Sequence, residues 1–239
     1  PLWKLWEGQD REFPVYASGC YRGLGNDGMI EKAQKFVSDG FKSIKMQVAH
    51  IFSNEEDICN VRDMRQVLGS GIGIMIDVNQ GWSVEETIKV SKQIEKYTPE
   101  WLEEPVMADD FEGYDKICNS TSIPIVTGEN NFTHHDLFPF MKGKKINILQ
   151  PDIMRGGYTN LIYTAKLANQ YGIKIAPHMF PELSIHIVAS IENSSWLEYM
   201  GWYDHLWQEP LANRNCRVFY CPSPPSATLP LARSWLLVF

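Results

Sequence analysis

Six residues that could carry acid–base or metal chemistry recur along the chain at intervals of about one strand-plus-helix unit. They are Asp77, Glu103, Glu129, Asp152, His178 and Glu198, separated by 26, 26, 23, 26 and 20 residues. Each ends an apolar run of strand length. In a closed barrel of parallel strands such a series brings the side chains together at the carboxyl ends, where barrel enzymes keep their active sites. The register of all six favours one site over six unrelated helix caps.

The first three residues of the series offer only carboxylate oxygens. Neighbouring carboxylates repel one another unless a cation lies between them, and a set of hard oxygen ligands without His or Cys favours Mg²⁺ over Zn²⁺. Asp77, Glu103 and Glu129 are therefore the predicted metal ligands. Glu104 competes with Glu103, but side chains alternate along a strand, and Glu103 shares its parity with Trp101.

The predicted acid–base groups are the last three residues of the series and one lysine, Lys45. Asp152 and His178 each follow a proline at the end of consecutive predicted strands. A histidine beside a carboxylate is held in one tautomer and made more basic, as a general base requires. Lys45 and Gln47 lie two residues apart on an earlier strand and so share a face of the sheet.

The elements that must position these residues alternate between strand and helix. Strands are predicted at residues 13–19, 43–49, 72–79, 99–105, 124–130, 146–152, 174–180 and 196–200. Seven helical stretches lie between them, such as 83–97, which Ser83 and Glu86 begin as a capping box, and 158–172, which Gly172 closes. This alternation predicts an α/β protein with a parallel sheet. Eight strands and seven helices fit a modified TIM-type (β/α)7β barrel.

Composition limits the class of protein. The 239 residues carry 22 Lys and Arg against 29 Asp and Glu, a balance that argues against a nucleic-acid partner. No apolar run approaches the roughly 20 residues that span a bilayer, and the opening PLWKLWEGQDREFP does not read as a signal peptide. The five cysteines show no metal-ligand spacing and are interpreted as free thiols. A cytoplasmic location is predicted.

The ordered motifs resemble the mandelate racemase/muconate lactonizing enzyme branch of the enolase superfamily. The matching segments are PLWKLWEG (1–8), GFKSIKMQ (40–47), IDVNQGW (76–82), WLEEPV (101–106), GEN (128–130), LQPDIMRGG (149–157), APHMF (176–180) and WLEY (196–199). The resemblance implies Mg²⁺ on Asp77, Glu103 and Glu129, and a His178–Asp152 dyad as base. It also implies Lys45 beside the substrate carboxylate, and Glu198 as the acid that hydrogen-bonds the developing enolate.

Departures from the family pattern shape the functional prediction. Gln47 stands where the family has the second lysine of a Lys-x-Lys pair, and an amide cannot act as a base. This weakens racemisation by two opposed bases and favours dehydration of an aldonic or aldaric sugar acid by a hydro-lyase. A racemase, epimerase or cycloisomerase remains the alternative, as does a truncated barrel that binds metal without turnover.

The resemblance also predicts the domain organisation. Residues 1–12 are expected to be the linker from an absent capping domain, residues 13–211 the barrel, and residues 212–239 an atypical Pro-rich tail. An uncapped barrel with aromatic-rich ends is further expected to form homo-oligomers.

Overall fold

The computed structural model describes residues 2–9, 12–143, 146–203 and 228–230 of the chain. The strands are β1 (Glu12–Cys20), β2 (Ser43–Gln47), β3 (Gly73–Asp77), β4 (Trp101–Glu103), β5 (Ile125–Thr127), β6 (Ile148–Leu149), β7 (Lys174–Ile175), β8 (Leu197–Tyr199) and β9 (Thr228–Pro230). The helices are α1 (Leu2–Leu5), α2 (Gly25–Ser38), α3 (Asn54–Leu68), α4 (Val84–Ile94), α5 (Phe111–Cys118), α6 (His134–Gly143), α7 (Ile153–Gln170) and α8 (Pro181–Val188). Short 3₁₀ turns follow β1, α4 and β8.

The first eight strands form one parallel sheet that curls around an axis. Their order is β7-β6-β5-β4-β3-β2-β1-β8. A parallel bridge between Ile175 and Ser194, with hydrogen bonds from Ile175 to Asn193 and from Ser195 to Ile175, joins β7 to the segment before β8. Helices α2 to α8 each connect consecutive strands. The predicted (β/α)7β class is confirmed.

Two hydrophobic regions hold the sheet in place. The larger one lies between the strands and the helices and includes Ile44, Ile76 and Leu102. The smaller one fills the interior and contains Tyr16, Met75, Trp101 and Val126, all at most 1% exposed. We call these four residues the aromatic layer. The Tyr16 and Trp101 rings meet edge to face with centroids 5.2 Å apart, a favoured aromatic geometry.

Each of the eight predicted strands overlaps an observed one; β1 extends one residue beyond the prediction at each end, and the other seven are shorter than predicted. Residues 146–152, for example, contribute only Ile148–Leu149 to the ladder. Strand pairing stops where the chain turns toward the next helix, so the remaining apolar and polar residues form the connecting loops. Those loops carry three of the seven residues predicted to do chemistry, Glu129, Asp152 and His178, while the other four lie on strands.

Local signals set several helix boundaries. The predicted capping box is confirmed: Ser83 Oγ accepts from the Glu86 N–H, and Glu86 accepts from the Ser83 N–H. A second box, at Ser53 and Glu56, begins α3. Helix α7 begins earlier than predicted, and the left-handed Gly157 (φ 69°) interrupts it. Residue 158, the predicted start, is where the helix resumes.

The chain ends bear on the predicted domain division, which stays a prediction. Helix α1 contacts α8, and the Gln9 N–H donates to the Ala189 carbonyl. Within the predicted tail only β9 is described, where it pairs antiparallel with β1; the rest of 212–239 lies outside the described residues. None of the described helices is long and apolar enough to cross a membrane. Of the described cysteines, Cys20 and Cys59 are free thiols.

Candidate active site

The structure places the predicted site residues at one end of the barrel. Asp77 and Glu103 are the last residues of β3 and β4, and Glu198 lies within β8. Glu129, Asp152 and His178 lie in the loops after β5, β6 and β7, and an isolated parallel bridge pairs Asp152 with His178. Lys45 lies on β2. Together these residues form two contact groups, one around Lys45 and one around His178.

Lys45 is the centre of the first group. Its Nζ lies 2.6 Å from Glu103 Oε1, 2.8 Å from Glu198 Oε1 and 3.8 Å from Asp77 Oδ2. Burial by itself lowers the pKa of Lys45, but the charges of Glu103 and Glu198 outweigh it and raise that pKa well above its usual value. The ammonium therefore stays charged inside the barrel.

Glu198, predicted to hydrogen-bond the developing enolate, lies close to two cationic side chains, Lys45 and His178. Burial raises the pKa of its carboxyl, but Lys45 and His178 lower it to a net value of about 2. The backbone N–H of Met179 also donates to Glu198 Oε2 at 2.8 Å. Glu198 is thus an ionised acceptor in this structure, because two cationic neighbours favour the carboxylate.

Two consecutive glutamates at the end of β4 are both fully buried. Glu103 faces the barrel interior, as its parity with Trp101 predicts, and Oε2 accepts from Trp101 Nε1 and Gln150 Nε2 at 2.9 Å each. Alternation was expected to turn Glu104 away from the site. However, β4 ends at Glu103, and the left-handed conformation of Glu104 (φ 39°) leaves it buried as well. Glu104 Oε2 accepts from Gln80 and Asn130.

His178 is the centre of the second group. Its Nδ1 lies 2.7 Å from Asp152 Oδ2, and its Nε2 lies 3.2 Å from Glu129 Oε2. Asp152 is fixed in turn, because Oδ1 accepts from the Met154 N–H as the N-cap of α7. Burial lowers the pKa of His178, but the bond to Asp152 and the charges of Glu198 and Glu129 raise it to about 9. The neighbouring carboxylates thus favour the protonated ring, and a cation bound to Glu129 would oppose this.

The surroundings of two predicted metal ligands, Asp77 and Glu129, disfavour the ionised carboxylate. Burial and Glu103 raise the pKa of Asp77 to about 7, although Lys45 opposes this. Burial raises the pKa of Glu129 well above its usual value, in spite of His178. Buried carboxylates that resist ionisation, with oxygen as the only donor type, fit a hard divalent cation.

Two of the three predicted metal ligands, Glu103 and Glu129, contact cationic side chains in this structure. Within the part of the chain that is described, no three His, Cys, Asp or Glu side chains are gathered as a metal-binding group. Lys45 holds Glu103, and His178 contacts Glu129. The donor set thus fits Mg²⁺ in chemistry, while cationic side chains hold two of its members.

Several residues of the site were not singled out from the sequence. Asn79 donates to both oxygens of Asp77, from its N–H and its Nδ2, at 3.0 Å each. Arg22 in turn donates to Asn79 Oδ1 at 2.6 Å. Gln150, which binds Glu103, lies two residues before Asp152 and could have been found by strand parity. Arg22 had no such signal, because it lies outside all of the predicted strands.

The fold and these carboxylate groups define a barrel of the enolase type, and the comparisons name the family. Residues 28–218 match the family described as Enolase C-terminal domain-like, and the chain belongs to it. It is 31% identical to 3,6-anhydro-alpha-L-galactonate cycloisomerase of Streptomyces coelicolor, over 89% of this chain and 59% of that protein. It is 32% identical to L-talarate/galactarate dehydratase of Salmonella typhimurium, over 84% of this chain and 52% of that protein.

A solved structure gives the same result. L-talarate dehydratase from Polaromonas sp. JS666, complexed with Mg and L-glucarate, superimposes with a TM-score of 0.80 at 28% identity. The match covers 87% of this chain and 58% of that one. The chain thus spans between half and three fifths of the length of these relatives.

Proposed function

We propose that this protein catalyses Mg²⁺-dependent abstraction of the proton α to a carboxylate, leading to loss of water from an aldonic or aldaric acid. The observation that carries the proposal is the hydrogen bond of 2.7 Å between His178 Nδ1 and Asp152. It leaves Nε2 as the nitrogen that exchanges protons with a substrate. The family membership and the dehydratases among the relatives support the same chemistry.

The proposed ligands of Mg²⁺ are Asp77, Glu103 and Glu129. When bound there, Mg²⁺ supplies positive charge that offsets the charge developing on the substrate carboxylate. Lys45 supplies a second, fixed positive charge, held in place by its ion pair with Glu198. Lys45 is only 3% exposed, and electrostatic stabilisation is strongest in such a buried site.

His178 is the proposed base and also the proposed acid. In its neutral form Nε2 removes the α-proton, and the resulting imidazolium is stabilised by Asp152. The same proton then moves to the β-hydroxyl as the carbon–oxygen bond breaks, and water leaves. The enol that remains tautomerises to a 2-keto-3-deoxy acid. Lys45 and Asp152 keep their protonation states throughout.

Gln47 favours elimination over racemisation. The Cα atoms of Gln47 and Asp77 are partners in the β2–β3 register, which puts an amide at the end of β2. An amide cannot return a proton to the opposite face of the α-carbon, so His178 is the only base that this proposal uses. One base is sufficient for elimination.

Cycloisomerisation is the second candidate, because two of the curated relatives are cycloisomerases of sugar-derived acids. It would begin with the same abstraction by His178 and end with a different leaving group. The product separates the two candidates: a keto acid indicates dehydration, whereas an isomer of unchanged mass indicates cycloisomerisation.

The test is NMR in D₂O with a panel of aldonic and aldaric acids, with Mg²⁺ and with EDTA. Loss of the α-proton signal and formation of a keto acid, both abolished by EDTA, are expected for at least one acid. Mg²⁺ binding without any exchange across the panel would contradict turnover by this chain. It would favour instead the reading of a metal-binding barrel that needs further parts of a longer enzyme.

A further inference from the structure

A line of side-chain hydrogen bonds crosses three of the loops at the site end of the barrel and ends on the first turn of α7. Gln80 Nε2 donates to Glu104 Oε2 at 3.0 Å, and Asn130 Nδ2 donates to the same oxygen at 2.7 Å. Arg155 Nη2 then donates to Asn130 Oδ1 at 2.9 Å. We call these four residues the loop bridge. The proposed chemistry uses none of them.

Each member of the loop bridge adjoins a residue to which the proposed function gives a role. Gln80 lies three residues after Asp77, Glu104 directly follows Glu103, Asn130 directly follows Glu129, and Arg155 lies three residues after Asp152. The bridge therefore ties together the segments that present the three carboxylates and the dyad acid.

Glu104 is the centre of the bridge, and the burial of its carboxylate is energetically unfavourable. It is 0% exposed, and its Oε1 has no hydrogen-bond partner among the described residues. A buried carboxylate that serves only packing would be better replaced by an apolar side chain. Two convergent amide donors and a backbone bond from the Gln80 N–H to the Glu104 carbonyl, at 2.7 Å, hold it instead.

The backbone at the bridge is held in an unfavourable conformation. Gln80 and Glu104 both have positive φ, 62° and 39°, a left-handed conformation that is unfavourable for residues with a Cβ. Such conformations persist only where surrounding contacts fix them. The bonds of the loop bridge are contacts of this kind, and they fix the backbone within a few residues of Asp77 and Glu103.

We propose that Glu104 is a positioning residue. Through Gln80 and Asn130 it sets the loops that carry Asp77 and Glu129, so that these carboxylates can meet around one cation. The inference rests on the proposed function, because it concerns the metal site of that function. Residues that orient metal ligands typically change affinity 10–100-fold when they are removed.

Asn130→Ala tests the proposal without changing any charge. It removes one bond to Glu104 and one from Arg155. The matched control is Asn193→Ala, which also removes two bonds of a side-chain amide, to the carbonyls of Ala165 in α7 and Ile173 just before β7. By isothermal titration with Mg²⁺ alone, we expect Asn130→Ala to weaken binding at least tenfold and Asn193→Ala to leave it within twofold.

Gln80→Met breaks the other half of the bridge, again without a change in charge, and serves if Asn130→Ala does not fold. The same loss of Mg²⁺ affinity is expected. In EDTA, amide hydrogen exchange of residues 78–81 should be at least tenfold faster in Gln80→Met than in the parent. A packing role alone would not combine local loosening of this loop with selective loss of metal.

The outcomes separate this inference from the proposed function. A parent protein that does not bind Mg²⁺ overturns the proposed function, and the exchange measurement in EDTA then decides the bridge. A parent that binds Mg²⁺, with Asn130→Ala and Gln80→Met within twofold of it, overturns the positioning role alone. Equal weakening by Asn193→Ala also overturns it, because it would mean that general loss of stability lowers the affinity.

Discussion

The barrel interior contains two adjoining layers of opposite character, built by the same strands. The aromatic layer is apolar, whereas next to it lies a charged layer that we define as Lys45, Asp77, Glu103 and Glu198. Met75 and Asp77 are only two residues apart on β3, as are Trp101 and Glu103 on β4. The layers also touch: Trp101 donates to Glu103, and Lys45 lies 5.6 Å from the centre of the Tyr16 ring.

The contrast shows that the same strands supply one layer that stabilises the barrel and a second layer that carries the charged groups. The aromatic layer covers one side of the charged layer with apolar side chains. Its low polarity strengthens each ion pair in the charged layer. The charged layer is stable only as a set, because each buried carboxylate depends on a cation beside it. Removing an apolar residue should therefore lower the free energy of unfolding by about the same amount at any pH. Removing a charged residue should lower it by an amount that depends on pH.

Lys45→Met should have the largest effect on stability. Without the ammonium, Glu103 and Glu198 would lie close together with no cation from Lys45, at a cost of up to about 5 kcal/mol in the free energy of unfolding at pH 7. The loss should shrink toward pH 5, because Lys45 lowers the pKa of Asp77 and Glu198 and its removal lets these carboxyls take up protons more readily. Urea unfolding in EDTA at both pH values measures it.

Met75→Ala is the matched control for that prediction. It should cost about 2–5 kcal/mol through lost burial and a cavity, by the same amount at both pH values. A Lys45→Met variant whose loss is below about 1 kcal/mol, or as independent of pH as that of Met75→Ala, would mean that the two layers do not differ as described.

His178→Asn should have the next largest effect, on turnover. A general base contributes 10²–10⁴-fold, so kcat should fall about 10³-fold, which corresponds to ~4 kcal/mol. Mg²⁺ affinity by isothermal titration should stay within a few-fold, because Asp77 and Glu103 are unchanged. A kcat within tenfold of the parent would remove His178 from its proposed role.

The pH dependence of the His178–Asp152 dyad should be the smallest of these effects. The pKa of His178 is raised from 6.5 to about 9, so the folded state binds its proton more tightly than the unfolded state does. This contribution, roughly 3 kcal/mol, is fully present below pH 6.5 and is lost as the pH rises through about 9. NMR titration of the ring protons in EDTA should show the raised pKa.

Asp152→Asn is the reference for that titration. The amide keeps the cap of α7 but loses its charge, so the pKa of His178 should fall and the stability difference between pH 6.5 and 9.5 should become smaller. If the ring titrates near 6.5 in the parent protein, the dyad does not hold a proton in the way described.

The sequence predicted the barrel and its site end because both depend on local patterns. Apolar runs at regular intervals predicted the order of strands and helices, and an acidic residue or a histidine at the end of six of the eight runs marked where the site would lie. Ser83 and Glu86 defined a helix start by themselves, since capping involves only residues three positions apart. Strand lengths were overestimated, because apolar residues continue past the last ladder hydrogen bond into loops.

The residues by themselves determined which groups meet, through a parallel sheet that carries the end of every strand to the same edge. Only the tertiary structure decided how they pair. The state of Glu198 follows from Lys45 and His178 acting together from other strands, and the burial of Glu104 follows from a turn that strand alternation does not describe. Charge states and loop contacts of this kind depend on distances between residues remote in the chain, and these distances exist only once the barrel has closed.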